Sequence, residues 1–305
     1  MASALIIARQ LIIMFIYMMV GYLLYRSHKV TDEGSRSLAN LLLYAALPAS
    51  LIRSFMVPRT PGKAVELLIS MAAAALILLV SMVIAAVCFK KNGIDNFGAA
   101  FSNCGFMGIP LITAVLGADA VFYAAGFIAL LNILQWTYGQ ALISEDRSMV
   151  RPGAVLKNPA LIAVAAGVVI FFTGLPVPAV VSSAVGALAG MNGPLAMVIL
   201  GIYLAQTNIK EMFSEGHLYL VSAVRLLVIP AVTILLVLLI PRQYGIIRTV
   251  LLICNAAPIG SNVAVYAQKL GKDHTYAVKI VCLSTGLSLI TMSLIMALAS
   301  LAGAA

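Results

Sequence analysis

Ten long apolar runs, separated by short polar stretches, make up nearly the whole chain. Each run is long enough, at about 17 residues or more, for an α-helix to cross the hydrocarbon core of a bilayer. The polar stretches are too short for a soluble domain, so the pattern predicts an all-α polytopic membrane protein with ten transmembrane helices. The predicted spans are residues 4–25, 37–56, 65–89, 97–116, 120–143, 158–174, 187–207, 217–240, 245–268 and 274–301.

The fourth and the ninth run contain residues that interrupt helices. The fourth holds Gly105, Gly108 and Pro110, and the ninth holds Pro258 and Gly260. Proline removes a backbone donor and glycine loosens a helix, so we expect neither run to be one continuous helix. Broken backbone at membrane depth is tolerated only inside protein or beside a water-filled cavity. A matching pair, one in each half, is typical of a transporter's binding site.

A short internal repeat relates the two interrupted runs. The sequence Leu-Gly-Ala-Asp at 116–119 recurs as Leu-Gly-Lys-Asp at 270–273, and each copy follows an interrupted run. The same offset aligns Gly108 with Asn262. We therefore expect the second crossing at residues 260–262 rather than at Pro258.

The repeat also predicts the organisation of the chain. Five runs in each half is an odd number, so the second half is expected to have inverted topology. We predict a first five-helix repeat over residues 1–143, a linker over 144–157 and a second repeat over 158–305, with helices 4 and 9 crossing each other.

Composition and charge support a membrane protein and predict its orientation. Apolar residues form 63% of the chain, charged residues 10%, and the mean hydropathy is +1.08, whereas soluble domains carry about 25% charged residues. The net charge of +9 comes mainly from short loops, which is typical of cytoplasmic loops and not of a nucleic-acid interface. We predict an inner or plasma membrane protein with both termini outside and the central loop in the cytoplasm. The loops on the predicted inner side hold Arg26, Lys29, Arg36, Lys90, Lys91, Arg147, Arg151, Lys157, Lys210, Lys269 and Lys272.

Polar and small residues near the interruptions are the candidate binding residues. A helix that restarts after a break has free N–H groups and a positive dipole end, which suits an anionic group. Capping of the broken backbone, or hydrogen bonding between helices for Asn132, is the alternative role for the asparagines. The predicted substrate-binding residues are Asn103, Gly105, Gly108, Pro110, Asn132, Asn255, Pro258, Gly260, Ser261 and Asn262.

The placement of charged residues favours an anionic substrate. All ten Asp and Glu residues lie in loops or near the ends of runs, whereas exchange of cations needs buried carboxylates. Arg225 and Lys279 lie deeper in the apolar runs. Either they reach back to the cytoplasmic interface or they attract anions into an inward-facing cavity. The His and Cys residues have no metal-ligand spacing, and no nucleophile–base pair is apparent, so we predict no metal, no cofactor and no enzyme activity.

At these residues the chain resembles the auxin efflux carrier family. Residues 103–111 are similar to its Asn-x-Gly-Phe-Met-Gly-x-Pro-Leu signature, and residues 257–262 to its second crossover segment. Residues 44–48 and 193–196 also match its pattern, and the resemblance covers essentially the whole chain. It implies a fold like that of sodium/proton antiporters, in a homodimer, with a scaffold from helices 1, 2, 6 and 7 and a transport domain from helices 3–5 and 8–10.

The resemblance also implies residue roles and a substrate class. Asn103 corresponds to the substrate-contacting asparagine of the family and Pro110 to the crossover proline. Plant members have a proline at the second crossing where this chain has Asn262 or Val263, so we expect an asymmetric crossing. The long central loop of the plant exporters is missing, which favours a bacterial-type member, and bacterial members are associated with carboxylates.

Together these observations predict a secondary transporter that exports small organic anions, such as carboxylates or auxin-like acids, by alternating access. Its expected partners are the substrate, the lipid bilayer and a second copy, with no nucleic acid. Two alternatives remain open. One is a sodium-coupled organic-anion symporter of the bile-acid-carrier type, and the other is a membrane sensor that binds a ligand without moving it.

Overall fold

The computed structural model describes residues 2–58, 60, 62–144, 153 and 157–304, with side chains from residue 5 onwards. Most of the predicted linker at 144–157, including Arg147 and Arg151, lies outside these residues. Within the described part the regular structure is helical, with no strands. The prediction of an all-α protein is therefore confirmed.

Thirteen helices follow one another in the described part of the chain, and α2, α5, α6 and α10 each contain one π turn. They are α1 (Ala2–Arg26), α2 (Asp32–Phe55), α3 (Lys63–Cys88), α4 (Gly93–Ala100), α5 (Cys104–Leu116), α6 (Ala118–Ser144), α7 (Pro159–Thr173), α8 (Ala179–Ala205), α9 (Ile209–Ser214), α10 (Gly216–Leu238), α11 (Gly245–Ala256), α12 (Asn262–Lys269) and α13 (His274–Leu301).

Seven helices of the described part are long and apolar enough to cross a membrane, namely α1, α2, α3, α6, α8, α10 and α13. The apolar helices α5 and α7 are shorter. Large apolar side chains such as Leu5, Leu68 and Leu235 are exposed on these helices, as expected for surfaces that face lipid. The chain is therefore an integral membrane protein, and the number of ten crossings stays a prediction.

The seventh apolar run is longer than the sequence predicts. It begins at Ala179 rather than at residue 187, because the small residues before Gly190 are helical. Small side chains let membrane helices approach closely, and the same effect is seen between α1 and α8. A Cβ at Gly21 would lie 2.0 Å from the carbonyl oxygen of Val198, and one at Gly201 would lie 1.8 Å from that of Met18.

The first interruption lies before the glycine–proline segment. Helix α4 ends at Ala100 and α5 begins at Cys104, and between them Phe101 is extended, with φ −114° and ψ 120°. Pro110 lies inside α5, which corrects its expected position at the crossover. The π turn explains this, because the Ile109 N–H bonds the carbonyl of Cys104, five residues back.

Pro110 nevertheless leaves one helical carbonyl without its donor. In the register of the π turn, the missing N–H of Pro110 would have paired with the carbonyl of Gly105. The side-chain amide Nδ2 of Asn192, on α8, donates to this carbonyl at 2.8 Å. The widened turn and this amide together allow a proline inside the helix.

The second interruption covers residues 257–261. Helix α11 ends at Ala256 and α12 begins at Asn262. Proline disfavours helical conformation in the residue before it, and Ala257 accordingly has φ −59° and ψ 151°. Pro258 therefore belongs to the interruption. This corrects the expectation that the crossing moves from Pro258 to residues 260–262.

Candidate binding site at the crossing of the interrupted helices

The two interruptions cross and are joined by backbone hydrogen bonds. The N–H of Asn103 donates to the carbonyl of Pro258 at 2.8 Å, and the N–H of Gly260 donates to the carbonyl of Phe101 at 3.0 Å. Unpaired backbone groups at membrane depth cost several kcal/mol each. The paired bonds therefore stabilise both interruptions at one point.

Ser102 and Ile259 lie opposite each other at the centre of the crossing, as an isolated antiparallel bridge. The N–H of Ile259 is bonded elsewhere, to Ser284 Oγ at 3.2 Å. Gly260 is required by the close approach of the two segments. A Cβ at this position would lie 3.1 Å from the Ser102 carbonyl oxygen and 3.3 Å from that of Phe101.

Four helix termini meet around this crossing. Helices α5 and α12 begin just after the interruptions, and α4 and α11 end just before them. The first N–H groups of a helix have no intrahelical acceptor and carry positive partial charge, while the last carbonyls carry negative partial charge. The crossing therefore has one side suited to an anion and one side suited to a cation.

A cavity of about 310 Å³ lies on the side of the helix N-termini. It brings together six of the ten predicted binding residues: Asn103, Gly105, Asn132, Gly260, Ser261 and Asn262. Three π turns contribute to its wall, through Tyr44 of α2, Phe106 of α5 and Trp136 of α6. Such turns are often found at functional sites.

Asn103 is one of the cavity-wall residues whose side chain makes no hydrogen bond with a described residue, and Ser102 is another. Asn103 is only 4% exposed, and its side-chain amide makes no hydrogen bond with any described residue. The amide of Asn262 instead donates to Gln135 Oε1 at 2.7 Å, and that of Asn132 donates to the Ile128 carbonyl at 2.8 Å. The Asn103 amide is thus available to a ligand in the cavity.

Lys157 and Asn158 also line the cavity, although they were not among the predicted binding residues. Lys157 is exposed and is the one cationic side chain among the described residues of the cavity wall. Asn158 caps α7 by accepting from the Ala160 N–H at 2.8 Å, and it donates to Asn132 Oδ1 at 3.4 Å. Their position directly before an apolar run indicates that they lie at the start of a helix. Nothing local in the sequence indicates which cavity they approach.

Gly108 and Pro110 lie outside the wall of this cavity. A Cβ at Gly108 would lie 3.3 Å from Cys104 Cβ and 3.8 Å from Cys254 Cα, so this glycine serves the packing of α5 on α11. Pro110 lines a separate cavity of about 410 Å³, together with Arg53 and Asn192.

Asn255 and Arg225 lie on the opposite side of the crossing from this cavity. Both are fully buried. Arg225 donates to the carbonyls of Ala99 at 3.0 Å and Ala100 at 3.1 Å, to Asn255 Oδ1 at 3.2 Å, and to the Asn255 carbonyl. The guanidinium therefore neither reaches the protein surface nor faces the cavity, because the carbonyls at the ends of α4 and α11 hold it.

Lys279, predicted either to reach the cytoplasmic interface or to attract anions, is paired with acids. Its Nζ lies 3.3 Å from Glu211 Oε2 and also bonds Glu215 Oε1. The residue is 8% exposed. Two carboxylates of the α9 region therefore compensate this charge.

One buried acid was also missed. Asp95, in the first turn of α4, is completely buried. Its Oδ2 lies 2.7 Å from His217 Nε2, and its Oδ1 accepts from the Tyr276 hydroxyl at 2.7 Å. It lies near the end of an apolar run, as predicted for the acids, but tertiary packing encloses it.

Apolar helices of membrane length, with two crossed interruptions beside a polar cavity, define a polytopic membrane protein of the transporter class. A protein-family model described as "Membrane transport protein" matches residues 6–153 and 148–296. The chain belongs to this family, in agreement with the auxin efflux carrier motifs of its sequence.

Two curated proteins are similar to the chain over much of its length. One, from Rhizobium meliloti (strain 1021), is named "Putative malonate transporter" and is 26% identical over 293 residues, which is 90% of each chain. The other, from Methanothermobacter thermautotrophicus, is named "Uncharacterized transporter" and is 24% identical over 226 residues, covering 70% of this chain and 73% of the relative.

Proposed function

We propose that the protein is a secondary transporter that moves small organic anions, carboxylates in particular, by alternating access. One observation carries the proposal: the Asn103 amide, without a partner among the described residues, lies in the cavity beside the N-termini of α5 and α12. A carboxylate would accept from this amide and from the free N–H groups at the helix starts.

Lys157 would act at the entrance of this site. An exposed cation at the cavity wall raises the local concentration of anions without binding them tightly. It belongs to the loop predicted to be cytoplasmic, which supports an orientation with this cavity open to the cytoplasm and both termini outside. An inside-negative potential would then favour efflux of the anion.

The chemistry of the site and the name of one relative support the proposed substrate class. The site offers hydrogen-bond donors and one cation, which suits a small mono- or dicarboxylate. The name of the Rhizobium meliloti relative supports a dicarboxylate such as malonate. We propose malonate as the first compound to test.

The proposed movement needs two parts of the fold. We propose ten crossings as two inverted five-helix repeats, a view supported by the two matches of the family model, which meet within the predicted linker. Helices α1, α2, α7 and α8 would form the scaffold, and the close contact at Gly21 and Gly201 supports a rigid pair α1–α8. The crossing, carried by α3–α6 and α10–α13, would move past this scaffold as an elevator, in a homodimer in the inner or plasma membrane.

The second cavity supports an exit path. It is lined by Arg53 of α2, Pro110 of α5 and Asn192 of α8, and α5 contributes to the walls of both cavities. Since α5 begins at the crossing, a shift of this helix against α2 and α8 would change access from one cavity to the other.

Counterflow in proteoliposomes tests the proposal against its alternatives. Vesicles loaded with unlabelled malonate are diluted into labelled malonate, in sodium or in choline buffer of equal ionic strength. We expect labelled malonate to accumulate equally in both buffers. Accumulation only in sodium would identify a sodium-coupled symporter, and binding of malonate without accumulation would identify a sensor.

A further inference from the structure

The side of the crossing opposite the cavity holds a fixed positive charge. Helices α4 and α11 end there, and their last carbonyls carry negative partial charge without intrahelical donors. Arg225 is completely buried among them. It projects from the π turn Val224–Val228 of α10, so a third helix supplies the charge.

The guanidinium of Arg225 joins the two helix ends. Nη1 donates to the carbonyls of Ala99 and Ala100 in α4, at 3.0 and 3.1 Å. Nη2 donates to the carbonyl of Asn255 in α11 and, at 3.2 Å, to its Oδ1. A planar guanidinium has donors in a fixed fork, whereas an ammonium group is a single point. Only the fork can hold both helices at a fixed separation.

The Asn255 side chain is itself held in place. Its Nδ2 donates to Thr233 Oγ1 at 2.8 Å and to Ser81 Oγ at 3.1 Å. Its Oδ1 is thereby turned towards Arg225. The network therefore connects α3, α10 and α11 behind the crossing.

We propose that Arg225 is a positioning residue for the binding site: by holding the ends of α4 and α11, it sets where the interruptions cross and where α5 and α12 begin. Asn103 follows Ala100 by three residues, and Gly260 follows Asn255 by five. A change in the separation of the helix ends is therefore transmitted directly to the donors that face the cavity. This role in substrate binding rests on the proposed function, whereas the role in holding the crossing does not.

Arg248 provides a matched control. It is also buried, at 5% exposure, and it also joins two helix C-termini. It donates to the carbonyls of Leu238 at 3.2 Å and Ile240 at 2.8 Å after α10, and to Gly303 at 3.1 Å after α13. It lies seven residues before Asn255, about 10 Å along α11, and makes no bond to the interruptions.

The test compares Arg225→Lys and Arg225→Gln with Arg248→Lys and Arg248→Gln in the purified full chain. Amide hydrogen exchange is measured for peptides covering residues 99–106 and 255–263. We expect both Arg225 substitutions to raise exchange there by about tenfold or more, the size of one lost hydrogen bond to a charged group. The Arg248 substitutions should leave these peptides unchanged and raise exchange near residues 238–241. If the Arg225 and the Arg248 substitutions give equal exchange at the crossing, Arg225 does not hold the ends of α4 and α11.

The second readout is malonate affinity. We expect Arg225→Lys to weaken malonate affinity by about tenfold. The control is Arg248→Lys, which should have a similar melting temperature and should bind malonate as tightly as the wild type does. If the crossing loosens while affinity is unchanged, the positioning role is wrong. If the wild type binds no carboxylate, the proposed function fails, and the exchange data alone decide whether Arg225 holds the crossing.

Discussion

The backbone N–H of Asn103 donates to the carbonyl of Pro258 at 2.8 Å. The bond links the first interruption to the second, and it uses only the main chain of Asn103. The side-chain amide is therefore left for the cavity, where it has no partner among the described residues. One residue thus fixes the crossing through its backbone and faces the candidate site through its side chain.

Replacing Asn103 by Ala should weaken substrate binding without unfolding the protein. The amide makes no hydrogen bond with a described residue, so its loss leaves no described group without a partner. A hydrogen bond to a charged group contributes about 1.5–3 kcal/mol, so we expect malonate affinity to fall by about tenfold to a hundredfold. Calorimetric titration measures this, with an unchanged melting temperature as the control. Unaltered affinity would remove Asn103 from the site.

Replacing Lys157 by Gln should weaken malonate binding at low ionic strength only. The exposed charge attracts the anion at a distance, and salt screens such attraction. We expect about a twofold to fivefold loss of affinity in dilute buffer and none at about 1 M salt. The matched control is Lys91→Gln, in an exposed loop outside the cavity wall. A loss that persists at high salt would contradict a long-range role.

Replacing Gly260 by Ala should destabilise the crossing. The added Cβ would lie 3.1 Å from the Ser102 carbonyl oxygen, and such crowding costs about 1–3 kcal/mol. We expect a lower melting temperature and weaker malonate binding. Gly286→Ala is the control, because a Cβ there meets no atom within 4 Å among the described residues. If Gly260→Ala changes melting temperature and malonate binding no more than Gly286→Ala does, the two segments do not approach each other closely at Gly260.

Replacing Asn192 by Leu should destabilise α5, since the carbonyl of Gly105 then loses its donor. An unsatisfied buried acceptor costs about 1–3 kcal/mol. Pro110→Ala restores a backbone N–H in the same turn, so the double substitution should recover part of the loss in melting temperature. Additive effects of the two substitutions would show that Asn192 does not compensate for the proline.

The sequence predicted the helical class and the two interruptions, because both follow from local chemistry. Apolar run length and the positions of Gly and Pro sufficed. It misplaced the first interruption at Pro110, because the π turn Cys104–Gly108 and the Asn192 amide accommodate the proline. Neither feature is visible from residues near Pro110 alone.

The candidate site was predicted only in part, because the sequence shows local neighbours but not partners on distant helices. Asn103, Ser261 and Asn262 adjoin the interruptions in sequence, so they were found. Arg225 was expected either to reach the cytoplasmic interface or to attract anions, but its partners lie on α4 and α11, more than 100 and about 30 positions away. Lys157 was used only to predict which loops are cytoplasmic. Its approach to the cavity depends on how α7 packs, which the sequence does not show.

We expect an organic anion bound at the crossing to be carried across the membrane. Malonate counterflow tests this in proteoliposomes that contain either the wild type or Asn103→Ala, reconstituted at equal density. We predict that labelled malonate accumulates with the wild type and that its initial rate falls at least about tenfold with Asn103→Ala at a subsaturating malonate concentration. Equal accumulation by the two proteins, or none by the wild type for any small carboxylate, would contradict this expectation.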